Sequence, residues 1–344
     1  MDSGAVFPLP LLSGPRHLRP RYNSSITMMS LHRSRNLFLL SLAFCLFAVP
    51  ALAVFPPEGR LTVSCYKVKQ GEVVVVGVRA PHGVERLEGQ FLERGLCFFP
   101  TAEGEYEALA GVDLDDKPGF HEVRVFLMSG DGQTTVLRKA VEVKPGDFPI
   151  DKLTVEDKMV EFDEETAARI QDENQRMEVA LALRTGRQFG ERFVLPVSGG
   201  VSSSFGRRRM YNGKMKAPHS GTDLKAPVSS AVRATAAGTV AISDSYYLPG
   251  NVVVIDHGKG VFTGYYHLKE SRVQPGQTVA EGEVIGFVGM TGRVTGPHLH
   301  WMGRVAGARI DPMSLRRLKL GPPVSGGPEP PAPEEADPES QSGA

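Results

Sequence analysis

Between Val54 and about Pro145, apolar and polar residues alternate in short runs: "RLTVSCYKV", "EVVVVGVRA", "HEVRVFLMS" and "TTVLRKAVEV", each bounded by Gly, Pro or Asp. Side chains on a strand point alternately to its two faces, so this period predicts strands with one face on a core. Their number and spacing predict a small antiparallel Ig-like β-sandwich over residues 54–146. His82 and His121 stand alone in it, so this region reads as a binding or positioning module.

The period then becomes helical. In "EFDEETAARIQDENQRMEVALALRTGRQFG", Asp163 suits an N-cap, Glu164 and Glu165 complement the positive end of a helix, and Gly186 suits its stop. Ile170, Met177 and Leu181 form a narrow apolar stripe, so the helical connector over 150–190 is expected to dock on its own protein. A regulatory alternative has this helix covering an active-site groove until it is displaced. From 191 to 318 strands return, now paced by glycine as in "GNVVVIDHG", "GVFTGYYHL" and "GEVIGFVG", which predicts a second β-rich domain with tight turns. The fold class is therefore mainly β. Residues 319–344 are too rich in Pro, Glu and Ser to build a core and predict a disordered tail.

At the other end, "MMSLHRSRNLFLLSLAFCLFAVPALA" runs from basic (Arg33, Arg35) through apolar (Leu37 to Val49) to small (Ala51, Ala53). That order predicts a secretory signal at 29–53, cleaved after Ala53, with residues 1–28 an upstream extension ahead of a start at Met28 or Met29. The apolar run is short for a membrane span, and an uncleaved anchor is the alternative. Phe44 before Cys45 is too large for a lipoprotein signal. The expected location is exported, periplasmic or associated with the cell envelope. Cys65 and Cys97 remain, and an oxidising compartment would let them pair, a point that two cysteines alone leave open. Hydrophobic residues make up 41% of the 344, enough for a real core, and 39 basic residues balance 39 acidic ones. Charge therefore gives no argument for nucleic acid or for an anionic membrane surface.

Chemistry concentrates late in the chain. Five of the nine histidines fall between His219 and His300, in "PHSGTDLKAP", "IDHGKG", "YYHL" and "TGPHLHW". A hydrolytic zinc takes three protein ligands and leaves one position open, a requirement that His219, Asp223 and one later histidine would meet. On a strand, His298 and His300 share a face while Leu299 enters the core. Pro218, Gly221 and Pro227 argue that His219 and Asp223 lie on a loop or a short irregular strand. A closed structural zinc site would recruit a fourth ligand, often Cys, and residues 191–318 contain no cysteine. His257, where a strand meets a glycine turn, reads as a turn residue. Arg207, Arg208 and Arg209 read as a solvated loop, or as a groove rim for peptide carboxylates, and Tyr211, Tyr246 and Tyr247 as packing or groove lining. No nucleophile-elbow pattern surrounds Ser204 or Ser220, which excludes a Ser-His-Asp reading.

"HSGTDLKAP", "YYHL" and "GMTGRVTGPHLHW", in that order and with "VQPGQTVAEGEVIGFVG" between the last two, resemble the signature of the lysostaphin/LytM-type zinc peptidases, peptidase family M23. The resemblance covers about 120 residues. It implies one Zn2+ per chain held by His219, Asp223 and His300, with His267 and His298 as the two catalytic histidines that are not ligands. It also implies a LytM-type β-sheet peptidase domain over 191–318 that hydrolyses peptide cross-links in peptidoglycan stem peptides; nothing in the sequence favours a glycine bridge, and the general look of a diderm periplasmic protein leans towards the D-alanyl to diaminopimelate bridge. The alternative is a non-catalytic peptidoglycan-binding or amidase-activating factor, whose ligands would usually be substituted. A protein partner, if there is one, is expected through the N-terminal β-sandwich. Where the family often has an acidic residue soon after the last ligand, this chain reads "WMGRV", which leaves open what supports His300.

Overall fold

The valine run Val73 to Val76 explains how the molecule is put together. In the computed structural model, which describes residues 59–153, 162–211, 214–215 and 218–324, this run lies in the strand Val73–Arg79 and is buried on both faces. The signal, its upstream extension and the tail beyond 324 lie outside the described residues. Val74, Val76 and Val78 face inward, against Val123, Val125 and Leu127. Val73 and Val75 face the other way, against Phe189, Phe193, Val305, Ala308 and Ile310. An uninterrupted apolar run is what a strand covered on both sides requires.

The sandwich consists of two sheets. One has the order Arg60–Val63, Val73–Arg79, Glu105–Gly111, Phe99–Ala102; the other Lys67–Lys69, Thr134–Lys144, Gly119–Ser129, Val84–Phe91, Arg94–Gly95. The first sheet also packs on the C-terminal region. At Gly111 an added Cβ would lie 2.8 Å from the Val305 carbonyl oxygen and 2.9 Å from the Ala308 Cβ, so only glycine allows this approach. Beside it, Asp113 accepts hydrogen bonds from the Arg309 backbone N–H at 2.7 Å and from its Nε at 3.0 Å. Burial alone would raise the Asp113 pKa, but the hydrogen bonds and charge of Arg309 hold it below the usual carboxylate range.

The expected connector begins as a strand, Ile150–Leu153, paired in parallel with Arg208–Tyr211. The helix then runs over Glu164–Leu181, with the Asp163 side chain accepting from the Thr166 N–H. It ends at Ala182, ahead of the expected stop at Gly186. The Arg184 guanidinium takes up the Ala182 and Leu183 carbonyls, and the Gly186 backbone instead passes close to Gly258. Met177, Ala180 and Leu181 pack on Ile242, Tyr246, Val252, Val254, Phe262 and Met302. Glu173, a charged residue in the middle of the helix, is buried; it accepts from Arg169 Nε and from the Tyr247 N–H, both at 2.7 Å. Among the described residues no helix is long and apolar enough to cross a membrane.

The largest sheet carries the candidate site. Its main path is Val201–Ser203, Gly221–Leu224, Leu299–Val305, Val261–Ser271, Gly250–Asp256, Gly238–Tyr246, Thr278–Val279. Leu224, Val253, Tyr265, Leu268, Leu299 and Trp301 form the core beneath it. Leu320, expected in the tail, is buried and bonded to the Glu191 carbonyl, so packing persists past the boundary read from composition. Cys65 and Cys97 are both free, and the pairing that the sequence left open is not made.

His257 follows a strand end, but its ring is fully buried and not solvated as a turn residue would be. Its Nδ1 donates to the Ala237 carbonyl at 2.8 Å, and Nε2 meets the Thr263 hydroxyl at 2.7 Å. Burial pushes its pKa down to about 4. Because the folded value lies below the unfolded value of about 6.5, protons bind preferentially to the unfolded chain as the medium is acidified. Stability from this group is therefore complete above pH 6.5 and is lost as pH falls through 4, a cost of about 3 kcal/mol. Urea unfolding across that window should show this slope, and His257→Gln should flatten it; an unchanged slope would contradict the assignment.

Candidate metal centre

Strand register brings the site together. Asp223 lies directly opposite His300 in the antiparallel pair of Gly221–Leu224 with Leu299–Val305, and Tyr266 lies opposite His300 on its other flank. These three side chains therefore line one face across three adjacent strands. His219 precedes the first of these strands, held by its N–H to the Arg207 carbonyl and by its carbonyl to the Gly206 N–H. At Gly221 an added Cβ would lie 2.5 Å from the Trp301 carbonyl oxygen and 2.6 Å from His300 Nε2, so the bare backbone is what lets the two ligand strands close.

Three donor atoms converge. His219 Nε2, Asp223 Oδ1 and His300 Nδ1 are each 2.9 Å from the other two, and all three residues are buried. The His219 Nδ1–H donates to the Ser204 carbonyl at 2.9 Å, which leaves Nε2 with its lone pair aimed at the centre. Burial would raise the Asp223 pKa, yet the two imidazoles beside it, His219 and His300, hold it far below the usual carboxylate range. Two imidazole nitrogens and one ionised carboxylate oxygen, gathered at one point, are the three protein donors that a hydrolytic zinc takes. The residues present fit that ion.

Two more imidazoles border the centre. His298 Nδ1 donates to the Gly296 carbonyl at 2.8 Å, so its Nε2, 3.6 Å from Asp223 Oδ1, is a proton acceptor. His267 Nδ1 donates to the Thr291 carbonyl at 2.9 Å, and its ring centre is 5.1 Å from that of His298. His267 has φ 63, a left-handed backbone rare for a side chain of this size, where the strand register shifts ahead of Leu268. This irregularity turns its ring to the centre. Burial, and then the charges of His300 and His298, push its pKa down to about 3.

A groove of about 450 Å³ opens beside these groups. His219, His267 and His300 border one side, and Ile170, Met177 and Glu178 of the connector helix border the other. The helix is thus a wall of the groove. Arg304 at its edge donates to Glu178 at 2.8 Å. Tyr246 is buried under the Arg176 guanidinium, and Tyr247 packs on Phe162 and Arg169. Arg208 is exposed; the side chains of Arg209 and Tyr211 lie outside the described residues. Sequence reasoning passed over Tyr266 and Glu173. Tyr266 could have been found from Gly264 two residues before it, a bare position on the same face of the strand.

Comparison with known proteins places a family match across this region. Peptidase family M23 matches over residues 217–312. The chain is 42% identical over 114 residues to the peptidoglycan DD-endopeptidase ShyA of Vibrio cholerae, covering 33% of this chain and 26% of that protein. It is 43% identical over 118 residues to the DD-carboxypeptidase/endopeptidase Mpg of Neisseria meningitidis, covering 33% and 26% respectively. The match thus spans about a quarter of the length of these curated relatives. A crystal structure from Pseudomonas aeruginosa, of a protein assigned as a peptidase M23, aligns with 72% of this chain and 93% of its own, at 28% identity and a TM-score of 0.55.

Proposed function

Since the chain carries a peptidase family M23 domain over residues 217–312, we propose that it is a zinc-dependent endopeptidase, exported to the cell envelope, that hydrolyses peptide cross-links of peptidoglycan. One observation carries the reading: His219, Asp223 and His300 converge on one point, with two further imidazoles beside them, His298 with Nε2 3.6 Å from Asp223 Oδ1 and His267 with its ring centre 5.1 Å from that of His298. The names of the relatives, DD-endopeptidase and DD-carboxypeptidase/endopeptidase, favour a bond between two D-centres as the target.

His219, Asp223 and His300 would hold the ion. Zinc bound there supplies a positive charge that acidifies water and polarises a peptide carbonyl. His298, whose Nδ1 proton is committed to Gly296 and whose Nε2 lies 3.6 Å from Asp223 Oδ1, is the base that takes the proton from attacking water and returns it to the leaving amine. His267 starts as an acceptor too, because its proton is committed to Thr291; it can donate to a developing oxyanion only after Nε2 has gained a proton. The intact ligand set argues against a non-catalytic amidase activator.

Mature protein incubated with purified sacculi should release fragments whose masses identify the bond cut, and it should contain about one zinc per chain. Chelation should abolish release and added zinc restore it. Sacculi untouched by zinc-loaded protein would refute the proposal.

A further inference from the structure

A ligating imidazole is normally fixed by a hydrogen bond from its second nitrogen to a carbonyl or carboxylate, which sets both tautomer and tilt. His219 obeys this rule through Ser204, and the neighbouring His298 and His267 do so through Gly296 and Thr291. His300 does not. Its Nδ1 faces Asp223 and His219, and among the described residues its Nε2 has no hydrogen-bond partner. The Tyr266 ring lies against its face instead, with centroids 5.1 Å apart and planes 16° apart.

We propose that Tyr266 is a positioning residue for the metal, its ring face fixing the tilt of His300 where the usual hydrogen bond is missing. The inference rests on reading the centre as a zinc site. Tyr266 is itself pinned from two sides. Its ring crosses Gly264, where an added Cβ would lie 2.9 Å from Tyr266 Cε1, and its hydroxyl points at the Met177 sulfur of the connector helix at 4.0 Å. The His300 ring is held between this stack and the edges of His219 and His267, whose centroids lie 4.8 and 5.9 Å away. An aromatic face restrains tilt but satisfies no polar atom, so the phenyl ring alone should suffice.

The test compares Tyr266→Phe, Tyr266→Leu and Tyr266→Ala in the full chain. Zinc affinity is measured by competition with a chromophoric chelator, and ligand geometry by the visible spectrum of the cobalt-substituted protein. Tyr266→Phe should match the parent in both. Tyr266→Leu, which keeps bulk without a ring face, should bind zinc about ten- to a hundredfold more weakly, as when an outer partner of a ligand is lost, and should shift the cobalt bands. Tyr266→Ala should do at least as badly. A purely structural role would lower the melting temperature of metal-free Tyr266→Leu without changing its zinc affinity, and that result would overturn the inference. Tyr266→Phe failing as badly as Tyr266→Leu would also overturn it, since the hydroxyl would then matter. If the parent protein bound no zinc, the zinc-peptidase proposal would fall first.

Discussion

His300→Ala is expected to leave the protein folded, strip it of zinc, and lower sacculus hydrolysis by at least about a thousandfold, the scale of several kcal/mol of Lewis-acid stabilisation. The reason is geometric. Without this ring, His219 and Asp223 offer only two donors, while a hydrolytic zinc needs three from the protein. Strand pairing should survive, because Asp223 and His300 are joined through backbone register as well as side chains. Metal analysis together with rate measurement checks this, and near-stoichiometric zinc in the variant would remove His300 from the ligand set.

The second large effect should come from His298→Ala. The Nε2 of this side chain is 3.6 Å from Asp223 Oδ1, farther than the three converging donors are from one another. Losing it should keep zinc at about one per chain and lower turnover about a hundred- to ten-thousandfold, the usual contribution of a positioned general base. The contrast with His300→Ala is diagnostic: one variant loses the ion and the rate together, the other the rate alone. Full activity in His298→Ala would shift the proton-transfer role to His267.

The residues that converge at the candidate centre were legible in the sequence because they are marked by residue types at short spacings. Pro218 and Gly221 marked His219 and Asp223 as lying off a helix, and the alternation in "HLH" sent Leu299 to the core, where it is fully buried. Long-range facts were harder to read. Nothing within a few residues of His257 announces that Ala237 and Thr263 close over it. Gly186 looked like a helix stop because glycine is favoured there, but its backbone is instead engaged by the close approach of Gly258. Glu173 falls on the same helix face as Ile170 and Met177, and the partners that let a carboxylate be buried there are Arg169 on its own helix and the Tyr247 N–H, brought from a turn far along the chain. The stack of Tyr266 on His300 depends on register between strands far apart in the chain.

The doubly covered strand Val73–Arg79 ties the fate of the two halves together. Its outer valines and Leu109 roof over Val305, Ala308 and Ile310, just downstream of His300, the last of the three converging donors, on the same strand and the next. Cutting the chain after the sandwich would not release a tidy C-terminal fragment; it would bare a greasy, aggregation-prone flank on the very sheet that aligns His219, Asp223 and His300.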